Sequence, residues 1–147
     1  MTKQRVAKWC VLLALLLTTT PIRAEQKVVF ENVEIHYIVL PTTSLQAEIA
    51  EQYQLERAPR RGFVNVSVLA AQAPFEVLSA VVEVEVKNLL GQSNHLIMRE
   101  INEPPARYYL GTFDYSDEET MRMAISITLP DGRSHHFEHS QKMYNEE

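Results

Sequence analysis

Cysteine and tryptophan each occur once, at Cys10 and Trp9, and both fall within the first two dozen of 147 residues. Residues 25–147 contain neither, which excludes disulfides, thiol catalysis and dithiol redox chemistry from that stretch. Glycine is also scarce, at four residues. No Gly-rich phosphate loop can be drawn from them, and no Gly-x-Ser-x-Gly elbow exists to expose a nucleophilic serine. No apolar run approaches the roughly 20 residues a bilayer-spanning helix requires. What the chain does have is 46% hydrophobic and 22% charged residues, a balance that suits a folded protein. Its length is that of one domain.

The amino-terminal residues read as a signal peptide over 1–24. Lys3, Arg5 and Lys8 form a basic head, Val11–Leu17 an apolar run, and Thr18–Pro21 a polar, helix-breaking stretch before Ile22-Arg23-Ala24. Cys10 stands at the front of that run rather than after it, which argues against a lipid-modified cysteine. Cleavage before Glu25 would leave one domain over 25–147, located in the periplasm. Losing Lys3, Arg5, Lys8 and Arg23 takes the formal charge from −5 to −9. Such a surface disfavours nucleic acid and anionic lipid. The mature domain is therefore expected to bind no nucleic acid and to make no stable membrane insertion.

Period-two alternation dominates the remainder. Val33, Ile35, Tyr37 and Val39 alternate with Glu34 and His36, following a short strand-like run over 27–31. Val64, Val66 and Val68 alternate with Asn65 and Ser67, and Val82, Val84 and Val86 with Glu83, Glu85 and Lys87. Further strands are predicted over 93–101, 107–114, 121–129 and 134–144. Leu89-Leu90-Gly91-Gln92 and Pro130-Asp131-Gly132-Arg133 read as turns. Leu45, Ile49 and Tyr53 recur at helical spacing. With Thr43 and Gln46 at capping-box spacing, they predict a short helix over 44–54. Ser116–Glu119 has the same spacing and predicts a single helical turn. The fold expected is mainly β: an antiparallel immunoglobulin-like sandwich of about seven or eight strands with one short helix.

Few residues suggest chemistry. His135 and His139 have a spacing that chelates metal on a helix, but on a strand they stand about 13 Å apart, too far to share an ion. His139 falls in phase with Phe137 and Met143, which points to a packed core histidine. Asp114–Glu119 is acidic but fails the EF-hand pattern, with Glu119 where Gly is required and Ile125 where Glu is required. Glu83 and Glu85 share a strand face that reads as solvent-facing. No metal site and no cofactor are expected, and no catalytic residue is assigned. Tyr109, Gly111 and Phe113 fall on one face of their strand, Tyr108, Leu110 and Thr112 on the other, and Gly111 permits close backbone approach. Arg99, Glu100, Tyr108 and Tyr109 are the candidate binding residues, two charges and two amphipathic aromatics on successive strands.

Several phrases occur together and in order: Glu25-Gln26-Lys27, His36-Tyr37, Asn65-Val66-Ser67-Val68, Asn88-Leu89-Leu90-Gly91-Gln92, Arg99-Glu100-Ile101, Tyr108–Phe113, Ser116–Thr120 and Gln141-Lys142-Met143-Tyr144. With them the chain resembles a family of proteobacterial exported proteins known as domain of unknown function 4426, over nearly all of Glu25–Tyr144. The resemblance implies a bacterial envelope protein and brings no activity or catalytic residues with it. His139 stands where the family pattern leads one to expect an aromatic. The reading of the sequence is a periplasmic, non-catalytic binding or assembly module that engages an envelope protein or a peptide. The alternatives are a small-ligand or metal carrier, and a hydrolase whose site is assembled from several strands. An apolar cavity would distinguish the carrier, and convergent, pKa-perturbed groups the enzyme.

Overall fold

A computed structural model describes residues 26–145. The alternating stretches form nine strands among the described residues: β1 (Gln26–Phe30), β2 (Val33–Pro41), β3 (Arg61–Ala70), β4 (Val81–Asn88), β5 (Ser93–His95), β6 (Arg99–Glu103), β7 (Ala106–Asp114), β8 (Glu119–Thr128) and β9 (Ser134–Met143). A 3-10 turn (Thr42–Ser44) and one helix, α1 (Ala47–Gln52), lie between β2 and β3. The predicted signal peptide lies outside the described residues.

The strands make two antiparallel sheets, ordered β1-β2-β3-β7-β6 and β5-β4-β8-β9. Counted from β2, the order is that of an immunoglobulin domain: A-B-E-D in one sheet and C′-C-F-G in the other, with β1 added outside strand A. Inward residues of both sheets form one core, with Ile35, Val64, Val66, Val68, Val84, Met123, Ile125 and Ile127 almost wholly buried. Alternation places them all on inner faces, so period-two patterning and packing agree. Two close approaches depend on glycine. A Cβ on Gly62 would lie 2.4 Å from Cζ of the buried Phe113 ring, and one on Gly111 would lie 2.5 Å from Met98 Sδ.

Three local expectations are corrected. The strand predicted over 93–101 is two strands, because the chain crosses between the sheets at Leu96–Met98 and places β5 and β6 in different layers. Leu96 turns inward there and is buried. The helix is shorter than predicted, and its N-cap Gln46 makes no side-chain capping bond. The Ser116–Glu119 segment is a tight turn rather than a helical one. Glu118 takes a positive φ of 58°, and the Glu119 carboxylate accepts the Ser116 N–H at 2.6 Å. The two other turns form as predicted, with Gly91 and Gly132 at φ 84° and 89°.

Candidate functional site

The outer face of the five-stranded sheet departs from simple alternation. Strand β3 places Phe63, Asn65 and Ser67 there, between Leu40, Ile38 and His36 of β2 and Thr112 and Leu110 of β7. Phe63 and Leu110 are large, apolar and buried. A sheet face that presents such residues outward needs a cover, and the segment from Thr42 to Arg60 supplies it. A six-residue helix has no stability of its own, so tertiary anchors hold it. At the base, Ala58 N–H donates to Thr42 Oγ1 at 3.0 Å, and Arg57 Nη2 donates to the Thr43 carbonyl at 3.0 Å. At the tip, the Arg99 guanidinium donates to the Tyr53 carbonyl and, at 3.5 Å, to Gln54 Oε1. Tyr53 also donates its hydroxyl to Glu103 Oε2 at 3.1 Å.

The arm does not close fully onto the sheet. A cavity of about 380 Å³ remains, lined from the arm by Leu45, Ile49, Tyr53 and Leu55 and from the sheet by Ile38, Phe63, Asn65, Tyr108 and Leu110, with His36 and Ser67 at one end. The i, i+4, i+8 stripe therefore faces this cavity rather than a solid core. Its size lies in the range of small-molecule sites. Within it, Asn65 Oδ1 is buried and has no hydrogen-bond partner. Asn65 stands directly between Ile38 and Leu110 in the register, so neither residue opposite it offers a polar side chain. A second, more polar cleft of about 500 Å³ lies around Asn88, Gln92 and Glu119. There the Asn88 amide is already bonded to Gln92 Oε1 and Glu119 Oε1.

The electrostatics of the cavity are quiet. Hydrogen bonding to Glu103, then burial, raises the Tyr53 phenol, and burial raises that of Tyr37. Both therefore stay protonated at neutral pH and serve as hydrogen-bonding groups. Glu34, His36 and Ser67 lie close on the outer face in an acid–base–hydroxyl order. However, the Ser67 hydroxyl donates to the Arg107 carbonyl at 3.1 Å, which directs its proton away from His36. His36 Nε2 and Glu34 Oε1 share a 2.5 Å hydrogen bond, and Lys27 Nζ donates to the same oxygen at 3.2 Å. Chiefly through the Lys27 bond, the Glu34 carboxyl is held below its usual value. A depressed carboxylate stabilises the fold above its unfolded pKa, and that contribution is lost as pH falls through the lower folded value. Carbon-detected NMR titration will therefore give a Glu34 midpoint below 4.5. Lys27→Met will move it upward.

The four candidate binding residues divide into two pairs. Strands β6 and β7 are neighbours, with Arg99 opposite Leu110 and Glu100 opposite Tyr109. Tyr108 lines the cavity, and Arg99, on the same face, anchors the arm above it. Glu100 and Tyr109 belong to the opposite face. Glu100 lies 3.4 Å from Arg107 Nε, and Tyr109 is 4% exposed in the core with its hydroxyl accepting the Ala80 N–H at 2.9 Å. Sequence reasoning missed Asn65, Ile38 and Leu110. The available signal was Phe63 and Leu110, apolar residues at the outward phase of their strands.

The histidines of β9 do not gather. His135 stacks on Phe30 with ring centroids 4.8 Å apart. His139 meets Tyr37 edge-on, and its Nε2 lies 3.2 Å from Gln141 Oε1. Among the described residues, no three His, Cys, Asp or Glu side chains converge as metal ligands. No described helix is long and apolar enough to cross a membrane.

Comparison with known proteins places this geometry in a family. The model described as domain of unknown function DUF4426 matches residues 27–146, and the chain belongs to that family. The crystal structure of a DUF4426 family protein, PA0388 from Pseudomonas aeruginosa PAO1, superposes with a TM-score of 0.73 at 26% identity, covering 84% of this chain and 97% of that one. FetP of uropathogenic Escherichia coli strain F11, expressed recombinantly in the periplasm, superposes at 0.60 with 11% identity, over 84% of this chain and 95% of its own. A copper-bound variant of FetP with one Glu-to-Gln substitution gives 0.60 at 12% identity, over 84% and 97%. The likeness to FetP is one of fold. No curated protein sequence matches.

Proposed function

We propose that this DUF4426-family protein is an exported carrier. It takes a small, mainly apolar molecule with one hydrogen-bonding group into the cavity between the α1 arm and the five-stranded sheet. The observation that carries this reading is Asn65 Oδ1, buried, unpartnered and set among apolar side chains in that cavity. A buried polar atom without a partner costs about 1–3 kcal/mol. A ligand hydroxyl or amine offsets that cost while its apolar body covers Ile38, Phe63 and Leu110. Export is supported by the basic head, apolar run and small-residue end of residues 1–24. That a FetP neighbour holds copper supports a carrier role for this fold in general, but no described donor set in this chain suits a metal ion. The cavity also ranks this reading above an enzyme, since the Tyr53 phenol, raised by its bond to Glu103, stays protonated and the Ser67 hydroxyl donates to the Arg107 carbonyl.

The test is native mass spectrometry of the protein isolated gently from the periplasm of its own host. The expected result is a polypeptide beginning at Glu25 that carries a small organic adduct. Ile38→Trp, which fills the cavity from its rim, and Asn65→Leu, which removes the polar contact, will each lose the adduct while remaining folded. Asn65→Leu will also raise the stability of the ligand-free protein by about 1 kcal/mol, because the unpaired amide is gone. A bare wild-type polypeptide, or an adduct that survives both substitutions, would overturn the reading.

A further inference from the structure

Four strands border the two sheets: β1, β6, β5 and β9. The first three are five, five and three residues long, whereas β9 runs for ten, Ser134–Met143. It contains no Pro or Gly, and among the described residues only β8 pairs with it. A long, regular free edge invites a further strand unless something covers or blunts it. We infer that a second copy of this chain covers it. The two β9 strands pair antiparallel about Ser140, and the four-stranded sheets join into one.

Ladder geometry limits the pairing to registers centred on a residue, and charge favours Ser140 over its neighbours Glu138 and His139. The Leu129 N–H donates to the Arg133 carbonyl at 2.9 Å where the β8–β9 hairpin begins. Antiparallel ladders alternate, so the even-numbered residues of β9 turn their N–H and C=O groups away from β8. Their side chains, from Ser134 through Glu138 and Ser140 to Lys142, are exposed. Pairing about Ser140 aligns even with even residues, as the free hydrogen-bonding groups require. It sets Glu138 of each copy opposite Lys142 of the other, giving two opposite-charge pairs, and places His136 opposite the 53% exposed Tyr144. Centring on Glu138 instead would set that carboxylate against itself. Centring on His139 would face Lys142 with His136. The ammonium of Lys142 already meets Glu118 at 2.8 Å. With three donors it can bridge to a second carboxylate.

Sedimentation velocity of the exported protein at physiological salt, on the order of 10–100 µM, tests the inference. Wild type will sediment as a dimer. Glu138→Lys turns two attractions into two repulsions and will weaken the dimer at least about tenfold. Adding Lys142→Glu restores the complementarity and will return affinity to within about threefold of wild type. Circular dichroism will show all three folded alike. Oxidised Ser140→Cys will form a disulfide-linked dimer, since hydrogen-bonded antiparallel partners stand about 5.5 Å apart at Cα. A monomeric wild type would overturn the inference. So would a dimer indifferent to Glu138→Lys, a Ser140→Cys variant that does not link, or a monomer whose β9 edge instead takes up a peptide strand.

Discussion

Truncating Tyr109 to Ala lowers the free energy of unfolding by about 3–5 kcal/mol, whereas Tyr108→Ala changes it by less than about 1 kcal/mol. Adjacent residues of one strand thus differ severalfold in consequence, because successive side chains of β7 face opposite ways. Tyr109 points between the sheets, is 4% exposed, and accepts the Ala80 N–H at the mouth of β4. Removing it opens a void and strands that donor as well. Tyr108 lies half-buried on the outer face along the cavity, where loss of the ring leaves space that water can reach. Urea denaturation of the two variants side by side measures the contrast. A larger loss at Tyr108 than at Tyr109 would mean that β7 is shifted by one residue, exchanging core and cavity faces throughout the strand.

The same alternation explains which features could be read from the sequence. Val64, Val66 and Val68 declare their strand and its inner face, as Met121 through Leu129 do theirs, because two-sided exposure forces a period of two. The asymmetry of Tyr108 and Tyr109 followed from phase alone. The crossover at Leu96–Met98 did not, since a strand changing sheets keeps its local propensity while its partners change. The cavity was legible only in fragments. The stripe Leu45, Ile49 and Tyr53 announced a covering element, but its six-residue helix is held by long-range anchors such as Arg99, and no local cap signals them. Asn65 reads as an ordinary polar residue on a strand. Only the register that sets it between Ile38 and Leu110 makes it a lone acceptor in apolar surroundings.

Arg99→Ala will loosen the arm without unfolding the sandwich. Hydrogen bonds from a charged guanidinium contribute about 1.5–3 kcal/mol, here spent on holding the Tyr53 carbonyl and the Gln54 side chain to β6. The arm contains few other contacts of that strength at its tip, so the loss is local. Amide exchange at Ala50, Tyr53 and Leu55, whose N–H groups bond within the arm, will speed by about ten- to hundredfold. Exchange in β3 and β8 will stay as it was, and the urea midpoint will move little. Lys at this position will restore only part of the protection, because its flexible ammonium lacks the planar, preorganised fork with which guanidinium meets both acceptors. If the arm retains the ligand, the adduct seen by native mass spectrometry will dissociate more readily in Arg99→Ala, though every cavity-lining side chain remains. Unchanged exchange would assign the arm's hold to Thr42, Arg57 and Tyr53 alone, and Arg99 would then have no part in closing the cavity.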